Sequence, residues 1–258
     1  MISKHLYSDF TIMVIGDSCI DKFLYGDVLR LAPEAPVPVF NPIYTKENKG
    51  MASNVDENLK SIGVKTILIT NREQIIKTRY VDKRTNQLLI RVDENDKVGK
   101  IDMSIVEEIK DNTYNGVKLD AIVISDYDKG FLDESVIKYI SENNKNVFLD
   151  TKKILDEWCT NCRFIKINHV EYNHTKFNLE TLNLQDKLII TMSEKGCVFN
   201  GNTFPVEKVN IKDVSGAGDT FISGLVCEFV RTQDIETSIK FAQECATVVV
   251  QKKGVCTL

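Results

Sequence analysis

The amino-acid sequence predicts an α/β fold: a central, mostly parallel sheet with helices on both faces, and a small β-sheet lid beside it. Three observations carry that expectation. Short apolar runs recur at 11–17, 65–70, 119–127, 146–151, 164–168 and 187–192, continuous rather than alternating, as in strands covered on both faces. Helical patterns lie between several of these runs. Two proline-edged stretches with alternating apolar residues, 23–50 and 78–95, break the rhythm.

The first run, TIMVIGD, ends in Asp17, and an acid at the carboxyl end of a parallel strand lies where such folds bind ligands. In 23–50 the prolines exclude a helix while Val37, Val39 and Ile43 alternate. This stretch and TRYVDKRTNQLLIRVDEN, turning near Thr85-Asn86, pair as the small sheet. ASNVDENLKSIG (52–63) sets Val55, Leu59 and Ile62 at helical spacing and ends on Gly63, a natural residue just past a helix. SIVEEIKDNTY (104–114) and DESVIKYISENN (133–144) are read as helices in the same way. In DTFISGLVCEFVR, Phe221, Ile222, Leu225, Val226, Phe229 and Val230 mark a helix that buries one side. The chain is read as one domain over 1–258, with lid strands within about 23–49 and 78–93.

The 258 residues suffice for a sizeable core, and 43% apolar with 27% charged residues is the composition of an ordinary globule. A net charge of −4 without a basic stripe points away from nucleic acid. No apolar stretch reaches the ~18–20 residues of a membrane span. The N-terminal MISKHLYSDF lacks the apolar core of a secretory leader, so a cytoplasmic protein with seven reduced cysteines is expected. Cys159 and Cys162 form a lone C-x-x-C, and His169 and His174 follow too closely for the usual zinc spacing.

The stretch DVSGAGDT (213–220) sets Gly216, Ala217 and Gly218 directly before Asp219, where that last helix begins. First-turn N–H groups have no acceptor within a helix, glycine lets the backbone approach a ligand, and the helix dipole favours an anion. On this reading the turn cradles a phosphate and Asp219 takes a proton from an attacking hydroxyl. The other reading is a close-packed turn in which Asp219 only caps the helix. No G-x-x-x-x-G-K-[ST] is present, and Phe221 stands where G-x-G-x-x-G has its third glycine.

The D-x-x-G-A-G-D of residues 213–219 resembles the C-terminal signature of the ribokinase or PfkB family of carbohydrate kinases. VIGDSCIDKFLYGDVLRLAPEAPVPVF, KTRY, QLLIRVD and ISDYDKG resemble, in order, the subfamily of heptose 7-phosphate kinases. The resemblance covers nearly the whole chain and implies a ribokinase-like fold and a sugar kinase using ATP and Mg²⁺. It implies phosphorylation of D-glycero-D-manno-heptose 7-phosphate at its anomeric hydroxyl, and a homodimer through the lid strands, and it leaves a monovalent-cation requirement open. It makes Asp219 the base and the amides of Gly216, Ala217 and Gly218 its anion hole. Asn168 and Glu171 match the N-x-x-E motif that holds Mg²⁺, partly through water; read alone, they are a turn residue and a solvated helix acid. Thr191, Ser193 and Gly196 fall on the nucleotide loop. Lys152 falls where the heptose kinases have a lysine near the nucleotide, or is a plain surface lysine. Asp21, with Asp17, matches the acids that hold sugar hydroxyls, and Gly50 and Asn54 the glycine–asparagine sugar segment. Arg79 is assigned the acceptor's phosphate, which a guanidinium reads in a bidentate way. Asp126 and Lys129 line the same cleft; otherwise Arg79 and Lys129 are exposed charges.

Several positions depart from the family pattern. Met51 replaces the second glycine of the sugar segment and brings a side chain where backbone approaches the sugar. NREQIIKTRY joins the strand at 65–70 almost directly to the lid, and the region between Glu171 and Leu188 is short. Gln243 or Glu244 replaces an asparagine near the nucleotide, and the chain ends at Leu258 without the nucleotidyltransferase domain fused in some heptose kinases. Three readings follow: the heptose-phosphate kinase, a kinase of another sugar, sugar phosphate or nucleoside, and a catalytically silent sugar- or nucleotide-binding protein.

Overall fold

The computed structural model describes residues 4–252, 254 and 256–258; residues 1–3, the start of the stretch read for a leader, lie outside them. Strand β1 (Thr11–Gly16) leads into two long strands, β2 (Ser18–Leu31) and β3 (Pro38–Met51), and then helix α1 (Ala52–Ile62). Strands β4 (Lys65–Thr70), β5 (Ile75–Asp82) and β6 (Leu88–Glu94) follow, then a short helix α2 (Met103–Glu107) and the strands β7 (Thr113–Tyr114) and β8 (Val117–Lys118). Next come β9 (Ala121–Asp126), α3 (Glu134–Asn143), β10 (Val147–Thr151), β11 (Phe164–Asn168), α4 (His169–Leu182) and β12 (Leu188–Thr191). The antiparallel pair β13 (Cys197–Phe199) and β14 (Asn202–Phe204) precedes helices α5 (Ala217–Thr232) and α6 (Ile235–Val250).

The large sheet has the order β14-β13-β12-β11-β10-β9-β1-β4, parallel from β12 to β4. Its central strands are continuously apolar because alternate side chains enter two cores. Ile12, Val14, Val123 and Phe148 join the residues of α1, α5 and α6, whereas Met13, Ile15, Ile122, Ile124 and Leu149 join those of α2 and α3. The exception is β4, an edge strand that is only half-buried, so its apolar run does not reflect cover on both faces. Gly63 takes φ 106° just past α1, and its N–H satisfies the Lys60 carbonyl.

One expected helix is corrected. The pattern over 104–114 gives only α2, five residues long, because Asp111 and Asn112 adopt left-handed φ of 53° and 54° and turn the chain into the β7–β8 hairpin. Short polar side chains tolerate that conformation, and the helical period does not register it.

The second sheet has the order β3-β2-β5-β6, turning at Asn86 with φ 59°. It grows directly out of β1 and returns directly into α1, so its base is fixed to the large sheet at two points. In the large sheet β1 lies between β4 and β9, so the strand order reverses there and opens a crevice at the carboxyl ends of β1 and β9. Gly16 closes β1 at that crevice, and a methyl group on it would stand 1.9 Å from the Ser125 carbonyl oxygen of β9. Gly16→Ala is expected to lower the unfolding free energy by about 1–3 kcal/mol in a urea titration, since two paired strands must part to admit it.

Candidate active site

The turn into α5 is built by Gly216, whose φ of 81° starts the helix without a side-chain cap. Asp213 steadies it by accepting hydrogen bonds from the amides of Ser215 (2.9 Å) and Gly254 (3.1 Å). The Ala217 N–H donates to the Val214 carbonyl at 3.2 Å, so the turn itself already uses one of the three amides expected to form the anion hole. Those of Gly218 and Asp219 have no protein acceptor among the described residues. A Cβ on Gly218 would lie 2.9 Å from Lys166 Nζ, so the missing side chain makes room for a buried ammonium group against the turn. Lys166 also donates to Asp150 Oδ2 at 2.8 Å, while Asp150 Oδ1, itself buried, has no hydrogen-bond partner among the described residues.

Asp219 sits in the first turn of α5 and is 3% exposed. Its carboxylate does not cap the helix. Instead Oδ2 accepts from Asn54 Nδ2 at 2.8 Å and Oδ1 accepts from the Tyr127 hydroxyl at 2.7 Å. Burial pushes this carboxyl up to about 6; the two hydrogen bonds oppose the shift, Asp150 adds to it and Lys166 opposes it. Burial, with the Asp219 and Asp150 charges, holds the Tyr127 phenol well above the usual tyrosine range, so it remains a donor.

On one side of Asp219 lies the base of the lid. Arg79 of β5 forms an ion pair with Asp21 of β2 and covers the Phe23 ring. A Cβ on Gly50 would stand 2.1 Å from Asp21 Oδ2, so only glycine fits there. Lys77, two residues before Arg79 and on the same strand face, lies 5.7 Å from the centre of the Tyr127 ring. Burial pushes the Cys19 thiol up to about 12, Asp21 and Asp219 adding to the shift and Lys77 and Arg79 opposing it, so these four charges surround one point. Met51 buries its side chain with Cys19 and Ile75 under the lid, at a φ of 59° that side chains rarely adopt.

On the other side lie the ends of β10 and β11. Asn168 and Glu171 form a reciprocal cap on α4: the Asn168 side chain accepts the Val170 and Glu171 amides, and Glu171 Oε2 accepts the Asn168 amide at 2.7 Å. Glu171 also pairs with Lys152, whose ammonium lies 5.1 Å from the Tyr127 ring centre. Burial alone would lower the Lys152 pKa, but Asp150, Glu171 and Asp219 outweigh it and hold the pKa above its usual value.

Other expected residues lie elsewhere in the arrangement. Asp17 has no exposed surface, and its carboxylate accepts from the amides of Tyr127 (2.8 Å), Lys129 (3.3 Å) and Phe131 (3.4 Å). Asp17, expected beside the sugar, thereby anchors the loop after β9, whose amides converge on it from inside the fold. Asp126 is buried against Lys153 and the Thr151 hydroxyl, and Lys129 is paired with Asp96, so neither carries a free charge into the cleft. Thr191 ends β12, and Ser193 and Gly196 lie on the β12–β13 connection, where Gly196 has φ 86° and a Cβ would meet the Phe204 carbonyl at 1.9 Å. Gln243 donates to that carbonyl at 2.6 Å. Sequence reasoning overlooked Lys166, Asp150 and Tyr127. The available signal was a charged residue inside two apolar strand runs, FIKIN and NVFLDT.

The shifted Asp219 carboxyl makes a stability prediction. Its folded value, about 6, lies above its ordinary 3.8, so its favourable contribution is complete below 3.8 and lost as pH rises through 6. Asp219→Asn removes that penalty, on the order of 2–3 kcal/mol. In denaturant titrations the variant is expected to gain on the wild type between pH 4 and 6 and hold a constant lead above it.

Comparison with known proteins places this geometry. The model of the pfkB family carbohydrate kinases matches residues 50–258. Relatives include the "Bifunctional protein HldE" of Helicobacter pylori (strain J99), 28% identical over 94% of this chain, and that of Nitrobacter winogradskyi, 24% identical over 97%. The chain spans 63% and 62% of their respective lengths. Among solved structures, the Methanocaldococcus jannaschii nucleoside kinase, a ribokinase-family member, superposes with a TM-score of 0.65 at 16% identity, covering 96% of this chain and 94% of that one. Escherichia coli phosphofructokinase-2 in complex with potassium gives 0.68 at 10% identity, covering 96% and 95%. The fold is ribokinase-like. The chain belongs to the pfkB family of carbohydrate kinases.

Proposed function

We propose that this protein transfers the γ-phosphate of ATP to the anomeric hydroxyl of a phosphorylated sugar, D-glycero-D-manno-heptose 7-phosphate. Asp219 accepts the hydroxyl proton, the freed oxygen bonds to the γ-phosphorus, and the bond to the β-phosphate oxygen breaks, releasing ADP. The open amides of Gly218 and Asp219, the N-terminus of α5 and the Lys166 ammonium offset charge on the transferring group. Most of the work is positioning and electrostatics, so one base suffices.

The observation that carries the acceptor assignment is the cationic face of β5. Lys77 and Arg79 lie side by side at the base of the lid, and Asp21 takes only part of the guanidinium's donor set. This suits an acceptor that already bears a phosphate, and the bifunctional HldE relatives fit the same reading. Kinases of this family use ATP and a divalent ion. Mg²⁺ carried by nucleotide phosphates needs one or two protein carboxylates rather than a cage. Glu171 and Asn168 at the end of β11 fit that need, and no described group of three His, Cys, Asp or Glu side chains forms a cage. When bound, the ion would draw charge from the phosphates; Glu171 and Asn168 would hold it, and the Lys152 ammonium would orient the nucleotide's polyphosphate end.

The unit is read as one catalytic domain, cytosolic, and dimeric through the lid, whose outward Leu29, Leu31, Ile43, Leu88, Ile90 and Val92 are exposed apolar residues. A second acceptor class is kept by Met51, which stands where the family pattern has the second of its paired glycines.

The test is ADP release with Mg·ATP and a panel of heptose 7-phosphate, other sugar phosphates, free sugars and nucleosides. Turnover should depend on heptose 7-phosphate and fall ~10²–10⁴-fold in Asp219→Asn. Turnover confined to a free sugar or nucleoside moves the assignment to that acceptor, and nucleotide binding without turnover on any acceptor makes this a binding protein.

A further inference from the structure

Tyr127 stands between the two halves of the site. Its ring lies 5.7 Å from Lys77 on the lid side and 5.1 Å from Lys152 on the nucleotide side, and it packs against the cluster of Cys19, Met51 and Ile75. Its hydroxyl donates to Asp219 Oδ1 at 2.7 Å. That is the contact an acceptor alcohol must make in order to surrender its proton: an O–H aimed at the same carboxylate oxygen.

The two partners of Asp219 are not equivalent. Asn54 is 1% exposed, lies on α1 and is itself hydrogen-bonded by Asn58 Nδ2 at 3.2 Å, so it is fixed in the core. Tyr127 is half-buried and begins a loop containing two left-handed residues, Asp128 (φ 56°) and Gly130 (φ 108°). The loop is pinned through the Tyr127 backbone N–H, which donates to Asp17. That backbone bond does not involve the phenol, so a rotation of the side chain would leave it in place. With the phenol in place, Asp219 has almost no surface left for a second hydroxyl.

We propose that Tyr127 is a gate on the base: its phenol holds the acceptor-hydroxyl position on Asp219, keeps water out of it, and is displaced only by a bound sugar. The inference rests on the reading of Asp219 as the base. Without the phenol, water would take the acceptor's role, giving its proton to Asp219 and its oxygen to the γ-phosphorus, so that ATP yields ADP and phosphate. Excluding that side reaction is a common service of closed kinase sites.

The test is Tyr127→Phe, which keeps the ring between the two lysines and the backbone bond to Asp17 and deletes only the hydroxyl. Mg·ATP hydrolysis without any acceptor is expected to rise about tenfold, the scale of one hydrogen bond to a charged group. The KM for heptose 7-phosphate is expected to fall several-fold, because nothing has to be displaced. A purely structural tyrosine would move neither in that direction. If Tyr127→Phe unfolds, Tyr127→Leu, which also lacks the donor, serves for the same two measurements. Acceptor-free hydrolysis no faster than wild type together with an unchanged or raised KM overturns the gate, whether or not the wild type turns over the panel. The double variant Tyr127→Phe/Asp219→Asn separates the two ideas: extra hydrolysis that survives it overturns the base assignment and the gate with it, whereas hydrolysis that never rises in Tyr127→Phe overturns the gate and leaves the base assignment standing.

Discussion

A buried carboxylate is the constraint on which the rest of this structure turns. Asp219 keeps 3% of its surface, and its charge is held by one amide and one phenol contributed by distant parts of the chain. An unpaired carboxylate at that depth is strongly unfavourable, so α1, the loop after β9 and the start of α5 must meet at one point. The topology supplies the meeting place. Reversal of strand order at β1 opens the crevice, β1 hands the chain to the lid, and the lid hands it back to α1 carrying Asn54.

Around this point the charges are arranged in pairs that leave selected atoms open. Lys166 and Asp150 neutralise one another beneath the glycine turn, which keeps a cation next to the anion cradle without a bare buried charge. Arg79 with Asp21, and Lys152 with Glu171, do the same on the two flanks. Close approach of backbone is handled by glycine: Gly50 against Asp21 and Gly218 against Lys166. Met51 departs from that logic, since a buried side chain there accepts a left-handed backbone; strain of this kind is on the order of 1–3 kcal/mol and persists where packing holds it.

The strands and the α5 turn were legible because each leaves a local mark: apolar runs bounded by acids, or small residues set against one carboxylate. Gly63 and Asp133 likewise announce the end of α1 and the start of α3 through backbone requirements. The residues that escaped are those whose meaning is tertiary. Tyr127 is separated from Asp219 by 92 positions, and nothing near it tells that its hydroxyl reaches that carboxylate. Lys166 and Asp150 were absorbed into apolar runs, where period-based reading discounts a single polar residue. Asp17 was placed correctly at a strand end, but its three bonds to the amides of the loop after β9 leave no mark in the sequence. The pattern over 104–114 misled because Ile105 and Val106 in α2 and Ile109 beyond it keep helical spacing up to the turn at Asp111 and Asn112.

The most direct test of the central claim is a ¹³C NMR titration of protein labelled at its aspartate carboxyl carbons, with the Asp219 signal identified by its loss in Asp219→Asn. The Asp219 signal should titrate near 6, well above its ordinary 3.8. Titration at the ordinary value near 3.8 would contradict a site in which burial outweighs the two hydrogen bonds and the Lys166 ammonium, the balance that leaves this carboxylate a base.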